Sequence, residues 1–236
     1  GSLFTVEFYQ AVSDRLTERG VLAQWVQGYE IDAGTFRTVV ATLHQVFPHV
    51  EVWETSYNTD LLVLASKQPL VWDLPSLEAR LAAQPYSTAL LRIWGVAGAP
   101  GLFSGFVANA ELVDALATAE GGRLNTDDRT LIEFDFARNV GRVRTNLVAQ
   151  LKALARERGQ NRPAVLGSMD WQVVDENVAQ RAMARHADPP QLGGDAGRQL
   201  RGRARRAYVA GEQARALDLW AQQEQGPLGP GDQALV

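Results

Sequence analysis

The chain has 236 residues, of which 46% are hydrophobic and 21% are charged, a balance typical of a globular protein. Its formal net charge of −4 gives no general attraction to nucleic acid or to an anionic membrane, so we expect no nucleic-acid partner. The lack of cysteine excludes disulfide bonds and thiolate chemistry. No run of about 18 apolar residues occurs, and the sequence therefore predicts no membrane-spanning segment.

The first 70 residues predict an α/β unit in the order helix, strand, helix, strand, strand. Residues 5–16 follow a helical apolar pattern, and residues 21–27 are rich in β-formers. Asp32 is placed to cap the N-terminus of the second helix. That helix carries one stripe of apolar side chains at three- and four-residue spacing, made of Phe36, Val39, Val40, Leu43 and Phe47.

Two strands follow that helix and are joined by a short turn. Residues 50–54 and 60–66 predict the strands, and the connection at 56–59 is short enough for a hairpin. A helical connection usually joins parallel strands, so we expect strand 21–27 to be parallel to its partner and covered on both faces. No further parallel strand is predicted before residue 20. The unit is therefore expected to be half of an α/β sheet with one unfinished edge.

The rest of the sequence predicts a mostly α-helical region. We divide the chain into a half-sheet, a helical insertion with an extended segment, and a helical tail with a disordered end, at 1–70, 71–143 and 144–236. Residues 95–101 are expected to form a loop, and residues 106–119 a helix. Residues 126–136 mix charged and apolar side chains and are expected to be extended.

The tail contains an order of residues that resembles one tetratricopeptide-type helix pair. Tyr208, Leu217 and Trp220 would pack together, and Gly211 would allow the tight turn. Because a single repeat cannot bury its own apolar face, the tail would dock on the preceding helices or on another molecule. The arginines between 198 and 206 have little aromatic interleaving, which indicates a solvated helix face.

Four motifs in the first 140 residues resemble the C-terminal part of the spermidine synthase, or polyamine aminopropyltransferase, family, in particular its bacterial and often membrane-fused members. They are L-F-T-V-E-F-Y at 3–9, G-V-L-A-Q-W at 20–25, V-F-P-H-V-E-V-W at 46–53 and T-D-D-R at 126–129. Thr130 stands where the family pattern usually has proline. The resemblance implies a partial Rossmann-like, class I methyltransferase fold, in which the strand–helix–strand–strand unit ends in an antiparallel hairpin.

The same resemblance implies transfer of an aminopropyl group from decarboxylated S-adenosylmethionine to a diamine in the intact parent protein. A nucleoside cofactor requires a Gly-rich turn after one strand and an acidic residue after the next, and neither occurs before residue 20. The family's catalytic aspartate would lie upstream of the L-F-T motif. We therefore expect a cytoplasmic, inactive fragment with no cofactor and no catalytic residue. The parent would be free in the cytoplasm or anchored to a membrane.

The alternative is a non-catalytic interaction or oligomerisation module built on a degenerate methyltransferase-like fold and helical repeats. An exposed strand edge can pair with another chain, and an unpaired helical repeat can dock on one. Either surface would produce a homo-oligomer.

Gln24, Trp25 and Tyr29 are the substrate-binding candidates near the first strand. By the resemblance, Gln24 would line the amine pocket of an intact protein; alternatively, its amide is satisfied by backbone groups. Trp25 could line the same rim, although large aromatic side chains mostly fill the core, which favours a core position. Tyr29 could reach the rim.

Asp127 and Asp128 form a second candidate group, because carboxylates favour a bound cation such as a polyamine. The alternative is a loop held by an aspartate–arginine pair with Arg129. The three histidines, at 44, 49 and 186, are scattered, and without cysteine they suggest no metal site.

Overall fold

The computed structural model describes residues 3–29, 31–119, 123–139, 146–184, 203–204, 207 and 212–222. The chain divides into two compact units, the first comprising Gly1–Val71 with Phe106–Ala164 and the second comprising Trp72–Gly105 with Val165–Val236. Each unit combines segments that are distant in sequence. The division into three segments at 1–70, 71–143 and 144–236 stays a prediction.

The helices and strands follow one another in mixed α/β order. In chain order they are α1 (Val6–Arg15), β1 (Val21–Gln27), α2 (Ala33–His44), β2 (His49–Ser56), β3 (Asp60–Ser66), β4 (Val71–Asp73), α3 (Leu74–Ala82), α4 (Tyr86–Ala89), a π-helix (Leu90–Trp94), α5 (Gly98–Phe103), β5 (Phe106–Ala108), α6 (Ala110–Thr118), α7 (Leu131–Asn139), α8 (Leu147–Glu157), β6 (Ala164–Leu166), α9 (Trp171–Ala184) and α10 (Gln213–Ala221).

A four-stranded antiparallel sheet in the order β1–β3–β2–β5 forms the centre of the first unit. β1 pairs with β3 along its whole length, from Val21 opposite Ser66 to Gln27 opposite Asp60. The other side of β3 pairs antiparallel with β2. β1 and β2 therefore run in the same direction, but β3 lies between them.

The prediction that strand 21–27 is parallel to its partner is wrong. The helical connection does join two strands of the same direction, as predicted. A tight hairpin, however, must place β3 beside β2, and β3 lies on the side of β2 that faces β1. The connection through α2 therefore crosses one intervening strand, which a local sequence pattern does not indicate.

The prediction that both faces of this strand are covered is also wrong. Val21 and Trp25 are 43% and 50% exposed, whereas Val26 on the opposite face is 1% exposed. Successive strand residues point to opposite faces of a sheet, so one face of β1 packs and the other is open. β1 has no second neighbour among the described strands and is an edge strand in that part of the chain.

The packed face of the sheet meets α2, whose predicted apolar stripe is confirmed. All five of its side chains are at most 1% exposed: Phe36, Val39, Val40, Leu43 and Phe47. Phe8, Val12 and Leu16 of the α1 region pack against the same core, as the helical pattern of residues 5–16 predicted.

Two segments near the second half of the sheet differ from their predictions. Residues 106–119 are not one helix, because β5 adds to the edge of β2 and α6 begins only after Asn109. The Asn109 side chain accepts a hydrogen bond from Leu112 N at 3.2 Å and caps α6. Residues 95–101 are not all loop, since α5 begins at Gly98.

The prediction that residues 126–136 are extended is also wrong. Thr126 and Arg129 close a tight turn through reciprocal backbone hydrogen bonds of 3.2 and 3.0 Å. Helix α7 follows, and the buried Asn125 side chain accepts a hydrogen bond from Ile132 N at 3.1 Å. That bond satisfies one of the free N–H groups in the first turn of the helix, and the local charge pattern did not indicate it.

The second unit is largely helical, with a two-stranded sheet of β4 and β6. Phe103 of α5 packs against Trp72 and Trp171, with ring centroids 6.0 and 6.3 Å apart. The Arg181 guanidinium carbon lies 4.3 Å from the centre of the Trp94 ring. Within the described residues, no helix is both long enough and apolar enough to cross a membrane.

The described part of the tail contains α10, but the packing predicted for it differs. Leu217 is 56% exposed, whereas its neighbour Leu219 is 6% exposed and faces inward. Tyr208, Gly211 and the side chain of Trp220 lie outside the described residues, as do most of the arginine run and the C-terminal end predicted to be disordered.

Tyr9 gives a prediction for alkaline stability. It is fully buried, its hydroxyl has no hydrogen-bond partner among the described residues, and burial raises the pKa of the phenol well above its usual range. Tyr9→Phe should raise the free energy of unfolding by about 1 kcal/mol at neutral pH, because an unsatisfied buried hydroxyl is removed.

The effect should grow above about pH 10, where the unfolded tyrosine ionises. The buried phenol keeps its proton there, so wild-type stability falls as pH rises by up to about 1.4 kcal/mol per unit, and Tyr9→Phe should escape this loss. Urea denaturation from pH 8 to 12 measures it, with the half-exposed Tyr86→Phe as the matched control. A constant difference between Tyr9→Phe and wild type across that range would contradict the prediction.

Candidate functional site

Gln24 lies in the middle of β1, opposite Val63 of β3. Its side chain is half-buried on the packed side of the strand. The amide Nε2 donates a 3.1 Å hydrogen bond to the backbone oxygen of Trp25. The amide is thus engaged by the local backbone, as in the alternative interpretation of this residue, and its role in amine binding stays a prediction.

Trp25 and Tyr29 are both on the surface. Trp25 is 50% exposed and Tyr29 is 53% exposed. The core position favoured for Trp25 is therefore wrong, because its side chain points to the open face of β1. Both aromatic rings are accessible to a ligand or to another chain.

Asp32 follows β1 and occupies the N-terminus of α2. Its Oδ1 accepts hydrogen bonds from Thr35 N at 2.7 Å and from Thr35 Oγ1 at 2.9 Å, which confirms the predicted N-cap. Burial acts to raise the pKa of the carboxyl, but the hydrogen bonds from Thr35, Asn139 and Gly34 outweigh it, and the net pKa is lowered. This carboxylate is a charged cap, so it is poorly suited to accept a proton from a substrate.

Replacing Asp32 tests the capping assignment. Asp32→Ala should lower the free energy of unfolding by about 1 kcal/mol at neutral pH. Because the folded pKa is lowered, the charge-dependent part of this stability is present above about pH 4 and is lost as pH falls through the folded pKa. Asp32→Asn keeps an uncharged cap and should lose less stability, with no acid dependence of its own. Thermal unfolding of the three proteins between pH 2 and 7 checks both statements, and equal losses for the two variants at every pH would contradict them.

Gly28 brings the end of β1 against the β2–β3 hairpin and α8. A Cβ atom at this position would lie 2.1 Å from the backbone oxygen of Thr59 and 2.6 Å from Val148 Cγ2. Only glycine permits this approach. The carboxyl end of β1, where open α/β sheets commonly bind ligands, is therefore covered at this point by the hairpin and α8.

A buried ion pair lies beside the same hairpin. Lys152 Nζ of α8 is 3.1 Å from both Oε1 and Oε2 of Glu54, and the two side chains are 9% and 0% exposed. The ammonium also lies 3.9 Å from the centre of the Tyr57 ring and 3.3 Å from Asn58 Oδ1. Its positive charge is thus surrounded by a carboxylate, a ring and an amide oxygen.

The hairpin turn is shaped to complete this arrangement. Asn58 adopts φ = 54°, a left-handed conformation that asparagine tolerates better than most residues. Its backbone N donates to Glu54 Oε2 at 3.0 Å, and its backbone oxygen accepts from Asn146 Nδ2 at 2.8 Å. The turn therefore donates a hydrogen bond to the Glu54 carboxylate, and it is hydrogen-bonded to the residue that precedes α8.

No sequence motif indicated Lys152 or Glu54, although the strand pattern contained one signal for Glu54. Glu54 shares its side of β2 with Val50 and Val52, which are both buried. A carboxylate at a core position requires a buried cation or several donors, because an unpaired buried charge is very costly. The pattern could have predicted a cationic partner without naming Lys152.

Asp127 and Asp128 lie on an exposed turn of the first unit. Asp127 N donates to Glu7 Oε2 at 3.1 Å, and the turn is closed by backbone hydrogen bonds. No ion pair joins Arg129 to either aspartate within the described residues, so the aspartate–arginine pair of the alternative interpretation is wrong. Both carboxylates are accessible to a cation.

The structure does not join the two groups of candidates. Within the part of the chain it describes, no hydrogen bond or ion pair connects Gln24, Trp25 or Tyr29 with Asp127 or Asp128. No group of three or more histidine, aspartate or glutamate side chains that could hold a metal ion occurs there either. No family model, curated protein or solved structure matches this chain.

Around the end of β1, the described side chains are arranged to hold the fold. Asp32 caps a helix, Glu54 binds Lys152, and Gln24 binds a backbone carbonyl. The accessible groups are the aromatic rings of Trp25 and Tyr29 and, on the separate turn, the carboxylates of Asp127 and Asp128. Such groups can bind an amine or another chain.

Proposed function

We propose that this chain is the C-terminal part of a spermidine synthase-like aminopropyltransferase and is inactive alone. The parent would transfer an aminopropyl group from decarboxylated S-adenosylmethionine to a diamine. The observation that carries the proposal is the unit of β1, α2, β2 and β3, in which an antiparallel hairpin follows a helical connection and β1 is left at the edge. This arrangement agrees with a partial Rossmann-like fold. The resemblance in the four sequence motifs implies the same fold.

The edge position of β1 supplies a place for the missing half of such a sheet. Its outer backbone groups have no strand partner among the described residues, and β1 contains no charged residue that would oppose pairing. The proposal requires a segment with a Gly-rich turn and an acidic residue to pair there and hold the nucleoside. Gln24 would then lie beside the new strand, and Asp127 and Asp128 would attract the amine.

Expression of the longer parent protein, which would include the residues before Leu3, tests the proposal. A protein extended upstream of Leu3 should form spermidine from decarboxylated S-adenosylmethionine and putrescine, whereas the 236-residue chain should form none. In the extended protein, Gln24→Ala should raise the KM for putrescine, and Gln10→Ala on the exposed side of α1 should leave it unchanged. Turnover by the 236-residue chain, or an extended protein that does not bind the nucleoside, would overturn the proposal.

The open face and free edge of β1 favour one alternative, a non-catalytic module that forms homo-oligomers. A half-exposed tryptophan beside an unpaired strand edge is a common feature of interaction surfaces. Sedimentation at several concentrations separates the two functions, because the alternative requires an oligomer that Trp25→Lys weakens. A monomer at every concentration would eliminate it.

A further inference from the structure

An open cavity of about 370 Å³ lies within the second unit, between α3, α4, the π-helix and α5. Its size is within the range of small-ligand sites. Its lining residues include the acidic Glu78, the hydroxyl-bearing Ser87 and Thr88, and the apolar Leu81 and Leu91. The cavity therefore combines one negative charge with a polar rim and an apolar wall.

The Glu78 carboxylate is held in place by the chain that follows the π-helix. Its Oε1 accepts a 3.1 Å hydrogen bond from the backbone N of Ala99. Gly98 adopts φ = 64°, and a Cβ there would lie 3.3 Å from Glu78 Oε2. Glycine thus allows the backbone to approach the carboxylate closely without filling the space beside its second oxygen.

Glu78 is an exposed residue, which leaves its second oxygen accessible to a ligand. Within the described residues, Oε2 accepts no hydrogen bond, and no lysine, arginine or histidine forms an ion pair with Glu78. A fixed carboxylate with one satisfied oxygen suits a compact cation better than a guanidinium, which binds best to both oxygens at once.

The rim provides the other acceptors that an ammonium group needs. Thr88 Oγ1 donates its hydrogen to Gln84 Oε1 at 2.8 Å, so its lone pairs remain for a ligand donor. The Ser87 hydroxyl can accept as well. An ammonium has three donors, and Glu78, Thr88 and Ser87 offer one acceptor each.

The apolar wall indicates what the ammonium is attached to. Leu81 and Leu91 both line the cavity, and Leu81 is 7% exposed whereas Leu91 is half-buried. Burial of a short methylene chain on such a surface is favourable at roughly 0.8 kcal/mol per CH₂ group. The π-helix widens the turn that carries Leu91, a feature often found at functional sites.

We propose that this cavity binds a primary alkylammonium group, with Glu78 as its anionic partner and Leu81 and Leu91 against its aliphatic chain. The group could belong to a free amine or to the lysine side chain of a peptide. This site belongs to the second unit and does not depend on the aminopropyltransferase proposed above.

Nuclear magnetic resonance of the ¹⁵N-labelled full chain tests the site, because the Ala99 amide reports on Glu78 Oε1. Addition of n-butylammonium chloride should shift this amide in a saturable way, whereas n-butanol at the same concentration should not. Glu78→Gln should weaken binding at least about tenfold, equivalent to about 1.4 kcal/mol. The matched control, Glu111→Gln on α6 of the first unit, should bind like the wild type.

A lysine tripeptide with blocked ends separates the two sources of the ammonium. Tighter binding of the peptide than of n-butylammonium assigns a protein lysine, and the reverse order assigns a free amine; both outcomes support the site. If Glu78→Gln does not fold, Thr88→Val, which removes one acceptor, should weaken binding of n-butylammonium. Equal shifts with n-butanol, unchanged binding by the folded variants, or no saturable shift with either ammonium compound would overturn the proposal.

Discussion

Lys152→Met should lower the free energy of unfolding by about 3–5 kcal/mol, because it leaves a buried carboxylate without its cation. Glu54 is 1% exposed and accepts both of the ammonium contacts at 3.1 Å. The Asn58 backbone N also donates to Glu54 Oε2, but it carries no net charge and cannot replace the ammonium. Urea denaturation at pH 7, followed by circular dichroism, measures the loss.

Two control variants make this result specific. The double variant Lys152→Met with Glu54→Leu should recover most of the lost stability, because an apolar pair of similar volume carries no desolvation cost. Arg215→Met removes one partner of an exposed ion pair with Glu212 and should cost less than about 1 kcal/mol. A double variant that is no more stable than Lys152→Met would show that the unpaired Glu54 charge is not the source of the loss, contrary to this expectation.

Gly28→Ala should produce the second large loss, on the order of 3 kcal/mol, through overpacking. The added methyl group would lie 2.1 Å from a backbone oxygen of the hairpin, an atom that cannot move without shifting the β2–β3 turn. The displaced turn also carries Asn58, so the surroundings of the Lys152–Glu54 pair should be disturbed. Slower-folding or partly unfolded protein is expected at physiological temperature.

Gly34→Ala is the matched control for this substitution. Gly34 lies in the first turn of α2, and the nearest atom to its added Cβ is a side-chain oxygen of Asp32 at 3.3 Å. Alanine favours a helix over glycine by about 1 kcal/mol, so this variant should be as stable as the wild type or more stable. Hydrogen exchange of the β3 amides distinguishes the two variants, and protection in Gly28→Ala equal to that in the wild type would contradict the predicted clash.

The local elements of the first 70 residues could be predicted because each is specified by adjacent residues. Asp32 caps α2 through Thr35, and Pro48 prevents the helix from continuing into β2. The apolar spacing from Phe36 to Phe47 selects one buried face of α2. Short-range hydrogen bonds and periodic burial determine these features, and both are visible in the sequence.

The candidate site was less predictable, because its main contacts join residues that are far apart in the chain. Lys152 and Glu54 are separated by 98 positions, and Gly28 approaches Val148 across a still longer interval. The role of Asn125 in tying α7 to the segment before α1 also depends on a distant partner, the backbone oxygen of Phe4. A local pattern can show that Glu54 needs a cation, but it cannot show which lysine supplies it.

Residues that are close together in the chain specify the positions of the helices and strands in the first segment, the buried face of α2, and the hairpin of β2 and β3. The position of β3 between β1 and β2, the open face that carries Trp25, and the pairing of Lys152 with Glu54 depend on the complete fold. Backbone propensities, caps and apolar periodicity act over a few residues and can be read directly. Strand order and charge pairing depend on which distant segments pack together and exclude water. These contacts exist only in the folded chain.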